Sequence, residues 1–226
     1  MFKSFLNLIY PSCCPACNKV LMNPDDFICT NCLFRLPKTN FHLHQDNPVY
    51  KRFSGRIKIQ SAASYLYFSK GGIVQEMIGK LKYRGRKEIG IYLGEIYGHD
   101  LNESDFGSSI DIIIPVPLHK DKFKKRGYNQ SEQFATGLSK TINLPVDFLN
   151  VIRKTNSNTQ TKKGRYARWE NVDEIFSVND IESLKDKHIL LVDDVVTTGA
   201  TLEATAAAIL LIPGTVISIA TIACTY

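Results

Sequence analysis

The sequence predicts an α/β fold, a parallel sheet flanked by helices, with a small cysteine-rich module at the N-terminus. From about residue 56 onward, short continuous apolar runs alternate with segments whose apolar residues recur at helical spacing. Such an alternation is typical of a parallel sheet that is buried on both faces. Five of the six cysteines lie between residues 13 and 32. We therefore expect a module over residues 1–45 and an α/β domain over residues 56–226.

The elements of the α/β domain follow from local patterns, taken in chain order. Strands are predicted over residues 58–68, 111–117, 145–152, 188–194 and 216–223. Helices are predicted over residues 72–83, 86–101, 129–142 and 201–212, because apolar residues recur there every three or four positions. Two prolines stop the second strand, and Pro213-Gly214 ends the last helix. The polar stretch over residues 36–48 is interpreted as a connection.

The cysteine spacing predicts a structural Zn2+ site. Cys14-x2-Cys17 and Cys29-x2-Cys32 are separated by eleven residues, and two such tight turns can close a tetrahedral site of four thiolates. A module of about 40 residues buries too little area to be stable alone, and a metal supplies the missing stability. Two disulfides or two redox-active pairs are the alternatives, and the absence of an export signal opposes the first. Cys13 and Cys224 receive no assigned role.

Composition restricts the class of protein. Apolar residues make up 44% of the chain and aromatic residues 10%, which is ordinary for a globular protein and argues against disorder. The net charge of +6 permits an anionic partner without requiring one, since mildly basic surfaces are common. No apolar run approaches the roughly 20 residues that span a bilayer. We therefore expect a cytoplasmic protein without a membrane span.

The segment HILLVDDVVTTGAT, residues 188–201, has two features of a sugar-phosphate site. Asp193 and Asp194 end a predicted strand at the sheet edge where ligands bind in such folds. The residues TTGAT then open a helix, whose free N–H groups and dipole can hold a phosphate, while Gly199 permits close approach. The carboxylates repel phosphate but suit sugar hydroxyls or Mg2+. A ligand with a phosphate at one end and a diol with a metal at the other fits both halves.

Simpler interpretations of this segment stay open. Threonine at a helix start is often only a cap, and an aspartate at a strand end often only caps a turn. Receiver domains also hold Mg2+ with paired acids, but their acids lie near the start of the domain and no phosphate loop follows. The sequence contains neither a Walker A motif nor GxGxxG, so nucleotide binding of those two kinds is not supported.

At every position, ILLVDDVVTTGAT resembles the phosphoribosyl pyrophosphate (PRPP) motif of type I phosphoribosyltransferases. The whole chain resembles the ComF (ComFC) family of competence-associated, phosphoribosyltransferase-like proteins. The likeness is carried by Tyr10-Pro11 and the cysteine pairs, LKYRGRKEIG at 81–90, IIPVPLHKDKFKKRGYNQS at 113–131, Gln160, Arg168, Asn171 and Phe176. Lys163 departs from the family's usual apolar residue. The resemblance implies a type I phosphoribosyltransferase fold behind a zinc-ribbon-like module.

The resemblance also implies roles for the matching residues. Asp193 and Asp194 bind the ribose hydroxyls, with Mg2+ nearby. The 5′-phosphate is cradled by Thr197, Thr198, Gly199, Ala200 and Thr201, while the pyrophosphate faces Pro115, Val116, Pro117 and Leu118. Residues 126–130 form a second signature that borders the same pocket. Arg168 belongs to a loop that closes over such sites and reaches the pyrophosphate, so that Asp193, Asp194 and Arg168 are the expected catalytic residues.

A basic run lies in the segment HKDKFKKRGYNQ, residues 119–130. Its candidate nucleic-acid contacts are Lys122, Lys124, Lys125 and Arg126, and Phe123 and Tyr128 are interleaved with them. Cations that track phosphates and rings that stack on bases suit single-stranded DNA. The alternative is an ordinary solvated face. The family's association with incoming DNA favours the nucleic-acid interpretation.

Two classes of function therefore remain open. One is a phosphoribosyltransferase, a pentosyl glycosyltransferase, that uses PRPP and Mg2+ with an unknown acceptor and is associated with DNA uptake in natural competence. The other is a non-catalytic competence factor that handles single-stranded DNA, together with other competence proteins, on a PRPP-binding fold. No general base stands out, and His119 and His188 are interpreted as turn or surface residues.

Overall fold

The structure is a computed structural model that describes residues 11–23, 25–154 and 175–225. Its strands are β1 (Ser61–Tyr67), β2 (Ile112–Pro115), β3 (Val151–Arg153), β4 (Phe176–Val178), β5 (His188–Val196) and β6 (Val216–Cys224). Four of them form the main sheet in the order β1-β6-β5-β2, and every neighbouring pair in it is parallel. The predicted parallel sheet is thereby confirmed.

Helices pack on both faces of this sheet. In the described residues they are α1 (Thr30–Phe34), α2 (Pro48–Phe53), α3 (Ile73–Tyr83), α4 (Glu88–Asn102), α5 (Lys120–Arg126), α6 (Gln130–Ile142) and α7 (Ala200–Ile209). The described ranges also contain three short 3-10 turns, at Phe41–Leu43, Asp105–Gly107 and Glu182–Leu184. No helix in the described part of the chain is long and apolar enough to cross a membrane.

The two faces of the sheet belong to two apolar clusters, because successive side chains of a strand point to opposite sides. On β5, Leu190 and Val192 pack with α3, α4 and α6, whereas Ile189 and Leu191 pack with α2 and α7. Uninterrupted apolar residues are therefore needed on this central strand. That is the pattern from which the sequence predicts a buried parallel strand.

The cysteine segment shares its apolar core with the sheet. Cys14, Ile28 and Leu36 lie in the same buried cluster as Leu66 of β1 and Leu93 of α4. The predicted connection over residues 36–48 is also tied to the sheet edge, because the backbone N–H of residue 39 donates to the backbone oxygen of residue 65 at 3.0 Å. The cysteine segment thus packs directly against the helices that cover one face of the sheet.

One detail of the predicted elements is wrong. The predicted strand over residues 145–152 is not continuous: Val146 makes a single bridge to Ile113, and β3 pairs with β4 in a separate antiparallel ribbon. The Asp147 carboxylate accepts hydrogen bonds from the backbone N–H groups of residues 149 and 150, at 2.9 Å each, and this turns the chain between them. In addition, the basic run forms the helix α5, which charge patterning alone does not predict.

Candidate functional site

Asp193 and Asp194 lie near the carboxyl end of β5, at the centre of the sheet. Ser131 Oγ, in the first turn of α6, donates to Asp193 Oδ1 at 2.8 Å, and the backbone N–H of Asp194 donates to the same oxygen at 2.8 Å. Lys82 Nζ, in the last turn of α3, lies 2.9 Å from Asp194 Oδ2. Three elements far apart in sequence therefore fix the two carboxylates.

These contacts leave one oxygen of each carboxylate unengaged. Within the described residues, Asp193 Oδ2 and Asp194 Oδ1 make no hydrogen bond or ion pair. The Asp194 side chain is only 13% exposed, so a ligand that reaches it enters a partly enclosed site. Two neighbouring acceptor oxygens match two neighbouring hydroxyl donors or one hard cation.

The ionisation of Asp193 is sensitive to this enclosure. Burial and, as a smaller cause, repulsion from Asp194 raise its pKa to about 7, while Ser131, the backbone N–H of Asp194 and Lys82 act in the opposite direction. Part of the Asp193 surface is exposed, yet desolvation of the carboxylate is the largest cause of the shift. Asp193 is therefore a carboxyl group that changes its charge near neutral pH.

The turn after β5 joins the acid pair to a helix N-terminus. Gly199 has φ +80° at the start of α7, and a Cβ there would lie 2.8 Å from Cε1 of the fully buried Phe53. Glycine is required at this position for both reasons. Residues 197, 198, 200 and 201 are exposed, and together with Asp193 the turn lines a small hollow of ≈ 50 Å³. The predicted phosphate loop is thus an open turn beside the acid pair.

Two arginines that the sequence does not mark as site residues bind the backbone of this turn. Arg52, on α2, donates to the backbone oxygens of Thr197 and Thr225. Arg56 donates to the backbone oxygen of Thr198 at 3.3 Å and pairs with Glu203 of α7. Because these bonds engage carbonyl groups, they fix the turn without occupying its N–H groups. In the sequence, the start of α2 is signalled by an asparagine at residue 47 followed by a proline, a combination that is typical of a helix N-terminus.

The segment over residues 115–118 follows β2 at the same edge of the sheet. The backbone N–H of Val116 donates to the backbone oxygen of Val192 at 2.9 Å, and Asn129 Nδ2 donates to the backbone oxygen of Val116 at 3.0 Å. Asn129 also caps α6 by accepting from the backbone N–H of Ser131. The structure thus places residues 115–118, the second signature and the acid pair in one connected neighbourhood.

The basic residues of α5 divide into two groups. Lys122, Lys124 and Lys125 are exposed. Arg126 is half-buried, because its guanidinium lies 5.3 Å from the centre of the Tyr83 ring and donates to Gln130 Oε1. The Tyr128 hydroxyl donates to the backbone oxygen of Leu81, which leaves Phe123 as the exposed ring of this run. Arg168, the third predicted catalytic residue, lies outside the described residues.

Cys14, Cys17, Cys29 and Cys32 bring their sulfur atoms together, all within 4.8 Å of one another. The Sγ atoms of Cys17 and Cys29 are 3.8 Å apart, which is the separation expected for thiolates on a tetrahedral Zn2+ with Zn–S bonds of about 2.3 Å. Burial raises the pKa of the Cys14 thiol, but backbone N–H groups led by that of Cys29 outweigh it and bring the value to about 7. The four-cysteine cluster is therefore compatible with structural zinc.

The remaining cysteines lie outside this cluster. Cys13 is exposed and its Sγ lies 3.6 Å from the backbone oxygen of Pro11, whereas Cys224 is buried at the end of β6.

The structure corrects the prediction for His188, because this residue is buried rather than at the surface. Its ring nitrogens lie 2.9 Å from Ser109 Oγ and 2.8 Å from Ser218 Oγ, at the edge of the sheet opposite to the acid pair.

Comparison with known proteins gives a domain match and partial likenesses to solved structures. The phosphoribosyl transferase domain model matches residues 128–224, the part that contains the acid pair and the turn after it. Solved structures with a partial likeness include the allosteric regulatory enzyme of purine biosynthesis, with a TM-score of 0.43 at 16% identity over 62% of this chain and 29% of that one. An adenine phosphoribosyltransferase has a TM-score of 0.39 at 12% identity, over 66% of this chain and 75% of that one.

Curated relatives extend the similarity to most of the chain. Competence protein ComFC of Bacillus subtilis (strain 168) is 27% identical over 206 residues, which are 81% of this chain and 78% of that protein. Competence protein F of Haemophilus influenzae is 38% identical over 96 residues, 41% of each chain. DNA utilization protein YhgH of Escherichia coli (strain K12) is 26% identical over 196 residues, 83% of this chain and 79% of that protein. The chain is therefore similar to competence and DNA-utilization proteins over most of its length, and residues 128–224 match the phosphoribosyl transferase domain.

Proposed function

We propose that this protein binds PRPP with Mg2+ at the carboxyl edge of β5, as part of the handling of incoming DNA in natural competence. The observation that carries the proposal is the position of two unengaged carboxylate oxygens, on Asp193 and Asp194, next to an open helix N-terminal turn. A sugar ring with two neighbouring hydroxyls and a phosphate one carbon beyond the ring matches both features. Its hydroxyls can donate to the carboxylate oxygens, and its phosphate can bind at the turn. Ribose 5-phosphate is the part of PRPP that meets both requirements.

Each part of the site has a separate task in this proposal. The turn over residues 197–201 holds the 5′-phosphate through backbone N–H groups, threonine hydroxyls and the positive end of the α7 dipole. Asp193 Oδ2 and Asp194 Oδ1 accept from the ribose hydroxyls. Residues 115–118 face the pyrophosphate, and the family resemblance assigns Arg168 to the same group. Mg2+, when held by the carboxylates, would neutralise charge there. Zn2+ on the four cysteines is structural.

The described residues do not identify an acceptor or a general base at this edge of the sheet. The proposal therefore separates binding from turnover: transfer of the phosphoribosyl group to an acceptor is one outcome, and binding without turnover is the other. A second candidate function, handling of single-stranded DNA, is favoured by Lys122, Lys124 and Lys125 of α5, which stand exposed directly after residues 115–118.

Calorimetric titration tests the proposal and separates the two candidates. PRPP and oligo-dT are titrated into the zinc-loaded protein, each with and without Mg2+. If the phosphoribosyl site is real, PRPP binds and the double variant Asp193→Asn/Asp194→Asn binds it at least about tenfold more weakly, since charge-assisted hydrogen bonds contribute roughly 1.5–3 kcal/mol each. Oligo-dT binding that PRPP does not displace would assign nucleic acid to a different surface.

The matched control uses the other pair of adjacent aspartates in the sequence. Asp25 and Asp26 are exposed in the cysteine segment, so Asp25→Asn/Asp26→Asn makes the same change in net charge away from the site. The control should bind PRPP like the unaltered protein. Normal PRPP binding by the Asp193/Asp194 variant rejects the phosphoribosyl site, and unfolding of that variant shows that the pair is structural.

A further inference from the structure

The last turn of α3 contains a buried lysine that is bound to the cysteine segment. Lys80 is 6% exposed, and its ammonium group donates to the backbone oxygen of Pro15 at 2.7 Å and to the side-chain oxygen of Asn18. Glu76 lies 3.6 Å away on the same helix. Both acceptors belong to the first cysteine turn, between and directly after Cys14 and Cys17. A buried ammonium group is costly without such partners, so this contact constrains both segments strongly.

The same turn of α3 also contacts the acid pair. Lys82, two residues after Lys80, forms the 2.9 Å ion pair with Asp194. Between them, the backbone oxygen of Leu81 accepts a hydrogen bond from Tyr128. The cysteine segment and the acid pair therefore hold opposite sides of a single helical turn. Residues 17, 18 and 82 also line one cleft of ≈ 620 Å³, so Lys82 and the first cysteine turn border a common space.

Lys82 matters for an anionic ligand because it is the cation that faces Asp194 among the described residues. Two adjacent carboxylates repel a ligand that carries several phosphate charges, and a cation at 2.9 Å from one of them reduces that repulsion. The same ion pair also directs Asp194 Oδ2 toward α3, which leaves Oδ1 for the ligand. Displacement of Lys82 would therefore change both the charge and the orientation of Asp194.

We propose that Lys80 is a positioning residue through which the cysteine module sets the Lys82–Asp194 ion pair, so that the state of the module controls the affinity of the acid pair for a phosphoribosyl ligand. A helix transmits this constraint because residues 80 and 82 share one turn of hydrogen-bonded backbone. Loss of metal from the cysteines would move the acceptors of Lys80 and, with them, Lys82. The inference rests on the proposed function for its ligand, but its contacts do not depend on it.

A double-mutant cycle in the zinc-loaded protein tests this coupling. Lys80→Met, Lys82→Met and the double variant are titrated with PRPP at fixed Mg2+, and zinc content is measured by elemental analysis. We expect Lys82→Met to weaken binding about tenfold and Lys80→Met to weaken it severalfold with zinc retained. The double variant should bind no more weakly than Lys82→Met, because the effect of Lys80 acts through Lys82. Additive effects, or no effect of Lys80→Met, would overturn the proposal.

Two further variants keep the test decisive. Lys140→Met removes a lysine that pairs with Glu95 at 2.9 Å on the surface, and it should leave PRPP binding unchanged. If Lys80→Met fails to fold or releases zinc, Asn18→Ala removes one acceptor of Lys80 and leaves the other. It should weaken PRPP binding in the unaltered chain and not in the Lys82→Met background, and an equal weakening in both backgrounds would overturn the proposal.

The NMR signal of the Lys82 ammonium group distinguishes failure of this inference from failure of the proposed function. An ion-paired ammonium group exchanges its protons slowly enough to be observed at low temperature, and Lys80→Met or Asn18→Ala should broaden or shift that signal without any ligand. If PRPP does not bind but the signal responds, the proposed function fails and the coupling stands. If PRPP binds and the signal does not respond, the coupling fails alone.

Discussion

Ser131 Oγ donates a 2.8 Å hydrogen bond to Asp193 Oδ1, so the first turn of α6 holds a carboxylate on the central strand β5. This bond favours the ionised form of Asp193. Burial and the neighbouring Asp194 nevertheless raise the pKa from 3.8 to about 7. A buried carboxyl group that stays protonated up to neutral pH makes the folded protein bind more protons than the unfolded chain at mildly acidic pH.

The first prediction concerns stability against pH. Because the folded-state pKa of Asp193 is raised, its contribution to stability is fully present below about pH 4 and is lost as the pH rises to about 7. Asp193→Asn removes this dependence, so its Tm should exceed that of the unaltered protein above pH 7, and the difference should shrink toward pH 4. Each kcal/mol corresponds to roughly 2–4 °C in a chain of this size. Thermal unfolding of both proteins between pH 4 and pH 8 measures this difference in Tm.

Ser131→Ala supplies the control for this prediction. It removes a hydrogen bond that stabilises the carboxylate, so the pH range over which stability declines should move upward. A constant difference in Tm between Asp193→Asn and the unaltered protein from pH 4 to pH 8 would show that Asp193 does not titrate in this range.

The second prediction concerns the glycine of the turn after β5. Gly199 (φ +80°) and Gly127 (φ +79°) have nearly the same backbone conformation, but a Cβ meets Phe53 only at the first, since nothing lies within 4 Å at the second. Gly127→Ala should therefore cost about 1–2 kcal/mol through backbone strain. Gly199→Ala should cost about 1–3 kcal/mol more through overpacking. Denaturant unfolding measures the loss of stability of both variants. Equal destabilisation would mean that the Phe53 ring moves aside without an energetic cost.

Much of this fold could be predicted because its periodicity is local. The apolar run of β5 and the helical spacing of α3 each depend on neighbouring residues, and both are found where the sequence predicts them. The strand over residues 145–152 was mispredicted because its apolar residues are interrupted by the turn at Asp147, a local signal that outweighs β propensity. His188 is buried because two serines, Ser109 and Ser218, bind its ring, and neither is adjacent in sequence.

The candidate site could be predicted only in part, because some of its contacts join residues that are far apart in sequence. The residues of the acid pair and the following turn are contiguous, so one motif contains them. Lys82 lies far from Asp194 in sequence, and Arg52 is similarly distant from the turn that it holds. Such contacts follow from the packing of α3 and α2 on opposite faces of the sheet, which no single segment encodes.

The third prediction concerns the metal. Purified protein should contain about one Zn2+ per chain, and Cys32→Ala should abolish binding, because it removes one of four thiolates. Cys13→Ala is the matched control, since its exposed sulfur lies outside the cluster, and it should retain the metal. Chelation should lower the Tm of the whole chain, because Cys14 and Ile28 share a core with β1 and α4. Zinc-free protein from a reducing purification, measured by elemental analysis, would contradict the prediction.

The last prediction concerns the exposed cations of α5. If Lys124 and Lys125 bind DNA phosphates, Lys124→Gln/Lys125→Gln should weaken oligo-dT binding and reduce the slope of log affinity against log salt by roughly 0.7 for each phosphate that is no longer neutralised. Lys185 and Lys187 are also exposed, but they precede β5 and so lie at the amino edge of the sheet. Lys185→Gln/Lys187→Gln changes the net charge equally and should leave the slope unchanged. Fluorescence anisotropy across a salt series measures the slopes, and equal slopes for both variants would show that α5 is an ordinary solvated surface.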